Sequence, residues 1–193
     1  MSATATPTGA EPIGTLSSSG SFTGKVRHLK IASNYGTAIF YGDFVKTVAG
    51  GTVEKDAGTT ALTTTGVFMG CFFTDPTTKQ PTYSQYYPAS TVASDIKAYV
   101  LDDPHVLMKM QGDATLAQTA IGNNVSIVQT AGSTDIGRSK NAVDSSTIAA
   151  TTATLPLRII DFVDGPDSSV GDSFTDVIVK FNVGHQYLNT TGI

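Results

Sequence analysis

From Lys25 onward, apolar and polar side chains alternate over short windows closed by Gly, Asn or Asp, and this period of two is what most restricts the fold. Alternation sends successive side chains to opposite faces of an extended segment, whereas a helix needs apolar residues three and four apart. The clearest window is 174–183. There Thr175, Val177, Val179, Phe181 and Val183 make an apolar or β-branched face, and Phe174, Asp176, Ile178, Lys180 and Asn182 make a mixed one. Such a strand turns its first face to a core. The same reasoning predicts strands at 26–31, 37–40, 43–48, 66–74, 94–101, 106–111, 124–130 and 155–163. One helix is predicted over 114–121, with Asp113 as its N-cap and Gly122 ending it.

Composition agrees with strands. Of 193 residues, 29 are Thr and 19 Gly, so β-branched residues are separated by flexible turns. Many short strands with frequent turn signals predict an all-β fold with minor α content, a small β-barrel or β-sandwich body. Residues 1–24, rich in Ser, Thr, Gly and Pro and poor in large apolar side chains, read as an extended, flexible N-terminal arm that joins no core. The body then spans 25–193, with a long polar surface loop near 135–154.

Charge and hydropathy narrow the partners. The net charge is −4, from 16 acidic and 12 basic residues, and Lys and Arg never gather into the concentrated basic face that nucleic acid requires. Apolar runs of a few residues fall far short of the roughly 20 needed to span a bilayer, so no membrane partner is expected. The start of the chain has neither the basic nor the apolar region of a secretory signal, which predicts a protein that works or assembles where it is made.

No catalytic or metal-binding pattern stands out. Cys71 is the single cysteine, flanked by apolar residues, and reads as a buried, inert thiol. His28, His105 and His185 lie far apart without ligand spacing and read as surface or strand-end residues. Asp102 and Asp103 precede Pro104 and read as a turn, the alternative being a calcium ligand set drawn from Asp102 or from Asp161 and Asp164. No enzyme motif occurs, so no catalytic residue, cofactor or metal is expected. The Gly-Asp pairs 42–43, 112–113 and 171–172 read as turn punctuation. Tyr83, Tyr86 and Tyr87 cluster in a predicted loop and have two readings, contact with another subunit or a cap on the domain's own core.

The segments IASNYGTAIFYGDFVK and GVFMGCFFTDPTTKQPTYSQYYP, followed by DDPHVLMKMQ, AIGNN and VIVKFNVGHQY, resemble small β-barrel structural proteins of tailed bacteriophages. The likeness covers most of residues 31–187. It implies a capsid decoration or cement protein: a virion structural protein, made in the bacterial host cytoplasm, which binds the major capsid protein from outside the assembled shell, commonly as a trimer. The alternatives are another virion component, such as a head fibre base or tail protein, and a glycan-binding adhesin module.

Overall fold

The computed structural model describes residues 4–16, 24–188 and 192. Among the described residues twelve strands follow one another. They are β1 (Glu11–Thr15), β2 (Arg27–Lys30), β3 (Phe44–Thr47), β4 (Val53–Lys55), β5 (Gly66–Thr74) and β6 (Pro81–Ser84), then β7 (Lys97–Leu101), β8 (Val106–Gln111), β9 (Asn124–Val128), β10 (Ala142–Ala149), β11 (Leu157–Phe162) and β12 (Asp176–Phe181). A 3-10 turn, Gln118–Ala120, precedes β9. The protein is all-β, as the alternation predicts.

Two antiparallel sheets divide the strands. The first runs β1-β8-β12-β11-β9-β10; the second runs β2-β7-β5-β3-β4, with β6 added to β5. Each sheet curls. A parallel bridge Ile31↔Val53 draws together the ends of the second, and another, Gly112↔Val143, draws the end of β8 towards β10 in the first. The body is accordingly barrel-like, with two apolar centres. Ile31, Val45, Val53, Phe68, Ala98 and Val100 fill the second sheet. Met108, Ile127, Leu157, Ile159, Val177 and Val179 fill the first, and Phe44, Val67 and Leu101 of the second sheet join them. Phe44 meets Phe181 edge to face with centroids 5.6 Å apart, which ties the sheets together. Each fully buried aliphatic or aromatic side chain contributes about 1.5–3 kcal/mol.

The strand β5 serves both centres. Val67 and Met69 look towards the first sheet while Phe68 looks into the second. A register shift between Phe68 and Cys71 then inserts one residue, Gly70, at φ +127°. That bulge restores the alternation, so Cys71 and Phe73 point inward again and Phe72 points out.

A buried ionic group fastens loop to barrel. Asp43, with no exposed surface, accepts hydrogen bonds from Ser139 Oγ at 2.6 Å, Asn141 Nδ2 at 3.2 Å and the Phe40 amide at 3.0 Å, and pairs with Lys55 Nζ at 3.0 Å. Of the Gly-Asp pairs, Gly42 and Gly171 adopt φ near +88° and +89°, as turn punctuation requires.

Four expectations are corrected. The arm supplies a strand: β1 pairs with β8, Glu11 opposite Lys109 and Thr15 opposite Val106, and Ala10 is wholly buried. An edge needs backbone partners more than it needs apolar side chains, so a Ser/Thr/Gly segment can fill it. The surface loop near 135–154 contains β10, whose Ser145 and Ser146 bond the carboxylates of Asp113 and Asp144. In place of the helix over 114–121 there is only the 3-10 turn, preceded by an extended Ala117. Asp113 caps nothing, because its carboxylate accepts from Ser145 and its amide donates to the Val143 carbonyl. Leu116 is pulled into the core. Lastly, 37–40 is no strand; Ile39 makes only an isolated bridge with Tyr87.

Candidate functional site

The three tyrosines part company as β6 ends. Tyr87 is fully buried; its backbone pairs with Ile39, and its hydroxyl donates to the Tyr35 carbonyl at 3.1 Å. Burial also raises its pKa. A residue with no exposed surface cannot touch a neighbour, so Tyr87 caps the core. Tyr86 is half-buried and stacks on Phe40 at 5.4 Å with 12° between the planes. Tyr83 is 62% exposed. Of the three, it alone presents most of its surface outward.

Tyr83 belongs to an outward face built by strand register. Opposite it on β5 stands Phe72, opposite Phe72 on β7 stands Lys97, and opposite Lys97 on β2 stands Lys30. Two residues along β7, Tyr99 stands opposite His28. These side chains share a face because paired residues point the same way. The other face, carrying Cys71, Ala98 and Val100, is core. Tyr83 and Tyr99 lie 5.7 Å apart at 45°, and His28 meets Tyr99 edge-on at 4.5 Å.

The Tyr83 ring is held in place. Its hydroxyl donates to the Met69 carbonyl at 3.2 Å, and the ring crosses Gly70, where an added Cβ would come within 2.6 Å of the phenolic oxygen. The bulge glycine makes room for the tyrosine. Partial burial of the hydroxyl, with Tyr99 beside it, raises the phenol's pKa. Beside this face lies a recess of about 260 Å3 lined by His28, Lys30, Ser94, Asp95, Ile96 and Lys97. The Asp95 carboxylate is committed to the Thr74 hydroxyl at 2.7 Å and amide at 3.1 Å, which lowers its pKa.

A larger groove, about 670 Å3, is lined by Arg27, Leu29, Lys46, Thr47 and the chain's own Gln186 and Tyr187. The segment after β12 fastens itself there. Gln186 accepts from the Thr47 amide at 3.2 Å and from the Thr65 hydroxyl, and donates to the Thr47 carbonyl at 2.9 Å. Arg27 pairs with Asp102 and lies over the Tyr187 ring at 5.1 Å. His185, read from sequence as a surface or strand-end residue, is instead fully buried between Phe181 and Tyr187. Its Nδ1 accepts from the Tyr187 amide at 3.3 Å, while Nε2 has no hydrogen-bond partner among the described residues. Burial pushes its pKa down to about 4, against the opposing pull of Asp102 and Asp103.

The remaining chemical candidates do not converge. Cys71 is buried beneath Tyr86 and Tyr87, and burial pushes its thiol up to about 12. Asp103 accepts from the His105 amide at 2.8 Å, as a turn residue does. Asp161 accepts from the Phe162 amide at 2.9 Å. Among the described residues no three His, Cys, Asp or Glu side chains gather into a group that could hold a metal, and no helix is long and apolar enough to cross a membrane. Comparison with family models, curated proteins and solved structures gave no match.

Proposed function

We propose that the chain is a structural protein of a tailed-bacteriophage head, binding the major capsid protein on the outside of the assembled shell as a homotrimer and reinforcing it. The reading rests on the resemblance of the segments quoted above, and one observation lends it most support. The N-terminal segment adds to the free edge of β8 as an extra strand. Strand addition is a general means of protein association, since main-chain hydrogen bonds supply affinity whatever the side chains. A segment that completes its own sheet in this way is suited to completing a neighbour's. In a closed trimer one surface patch is used three times, and a three-fold position on an icosahedral lattice accepts it without distortion. Many weak contacts repeated over a shell add up through avidity, so no single strong site is needed.

Mixing the purified protein with undecorated capsids tests the reading. Binding saturates at a fixed ratio to the shell subunit and raises the temperature at which particles rupture, because a ligand that prefers the intact lattice stabilises it. Capsids that neither bind the protein nor gain stability, or a particle map that places it in the tail, overturn it.

A further inference from the structure

The outward face of β6, β5, β7 and β2 contains a pairing that folding does not favour. Lys30 and Lys97 stand directly opposite each other across an antiparallel pair, both exposed, and neither has an ion pair among the described residues. Like charges so placed are destabilising. The carboxylate in the adjoining recess, Asp95, is hydrogen-bonded by Thr74 and also feels the charge of Lys97 without forming an ion pair. In a chain with four more acidic than basic residues, two exposed lysines at paired positions against one carboxylate, Asp95, leave a locally positive spot that can seat an anion.

Their surroundings restrict the anion. In the same row, Phe72 and Tyr83 continue the face, and three strand spacings separate Tyr83 from Lys30, about 14 Å. The Tyr83 ring is fixed by its bond to Met69 and leaves its outer surface free. A fixed aromatic surface binds at little entropic cost. The adjoining recess adds Ser94 and His28, groups that exchange hydrogen bonds with hydroxyls.

We propose that this face binds an acidic oligosaccharide, with a sugar ring stacked on Tyr83 and a sugar carboxylate seated between Lys30 and Lys97. Each part of the ligand answers a feature of the site: the C–H face of a pyranose to the ring, its hydroxyls to the polar recess, its carboxylate to the paired lysines. A single-stranded nucleic acid also combines stacking with negative charge, but it needs a basic groove that follows its backbone. Here the basic stretch is two residues wide and Asp95 lies within the recess. The proposal stands apart from the capsid reading, for it concerns the free protein and a surface that needs no shell.

Calorimetric titration with a galacturonate hexamer, the same hexamer methyl-esterified, and an oligothymidylate of similar length tests it. The acid hexamer binds, and its uncharged ester binds at least about tenfold more weakly, the loss expected for a charge-assisted contact. Tyr83→Ala and Lys97→Gln each weaken the acid hexamer by a similar factor. Lys97→Gln removes both the repulsion with Lys30 and the attraction to Asp95, so that variant unfolds within about 2–4 °C of the parent, which separates lost binding from lost folding. No binding of the acid hexamer up to about 1 mM, equal binding of its ester, tighter binding of the oligothymidylate, or undiminished affinity in the variants overturns the proposal.

Discussion

His185 shows how one buried side chain can make the whole body sensitive to acid. Its imidazole is neutral in the folded state, with a pKa pushed from 6.5 to about 4, so between those values the unfolded chain binds a proton that the folded chain excludes. The stability associated with neutral His185 is therefore complete above about pH 6.5 and is lost progressively as pH falls towards 4. The full loss is at most about 3 kcal/mol, from 1.36 kcal/mol for each pH unit. Asp102, Asp103 and His105 also act electrostatically on His185, so a matched variant is needed. His185→Phe keeps the ring contacts with Phe181 and Tyr187 and removes the proton site. Thermal unfolding from pH 7 to 4 is predicted to fall less steeply in His185→Phe than in the parent. Parallel slopes would show that the buried imidazole does not set the acid limb.

At the scale of the element, the N-terminal strand is where local sequence and structure disagree most. β1 satisfies the edge of β8 and carries Ala10 into the core, so deleting residues 1–16 removes several backbone hydrogen bonds at roughly 1 kcal/mol each, offset in part by the entropy of a freed segment. A net loss of about 2 kcal/mol lowers the unfolding midpoint by about 4–8 °C in a body of this size. An unchanged midpoint would mean that β1 does not pair with its own β8 in solution. Legibility followed the source of each strand's stability. β5 and β8 matched the predicted 66–74 and 106–111, because runs such as GVFMGCFFT and VLMKMQ carry their own apolar signal. β1 and β10 carry little; β1 forms because distant β8 offers it an edge, and β10 because it pairs with the preceding β9 and because Asp113 and Asp144 bond its serines. The candidate face was half legible. Three tyrosines could be read from the chain, but which of them points outward depends on the Gly70 bulge and on where β6 ends, and the approach of Lys30 to Lys97 depends on the register of two strands far apart in sequence.

Across the whole molecule, the two apolar centres are not independent, since β3, β5 and β7 each turn one face to the first sheet and the other into the second. Phe44, Val67 and Leu101 belong to one centre while their chain neighbours Val45, Phe68 and Val100 belong to the other. Removing either centre would leave these strands with an exposed apolar face, and no loop divides the sheets into parts that could each keep a complete core. The body is thus expected to unfold as one cooperative unit, with calorimetric and van't Hoff enthalpies equal. Val179→Ala, in the first centre, and Val45→Ala, in the second, test this directly. Both residues are fully buried, and each truncation costs about 1–3 kcal/mol. Each variant is predicted to move one single transition to lower temperature, about 2–4 °C for each kcal/mol. Two resolved transitions, with Val45→Ala shifting one and Val179→Ala the other, would show that the shared strands do not couple the centres. Coupling of this kind matters to a protein proposed to reinforce a shell, because load applied through either sheet would then be borne by both cores.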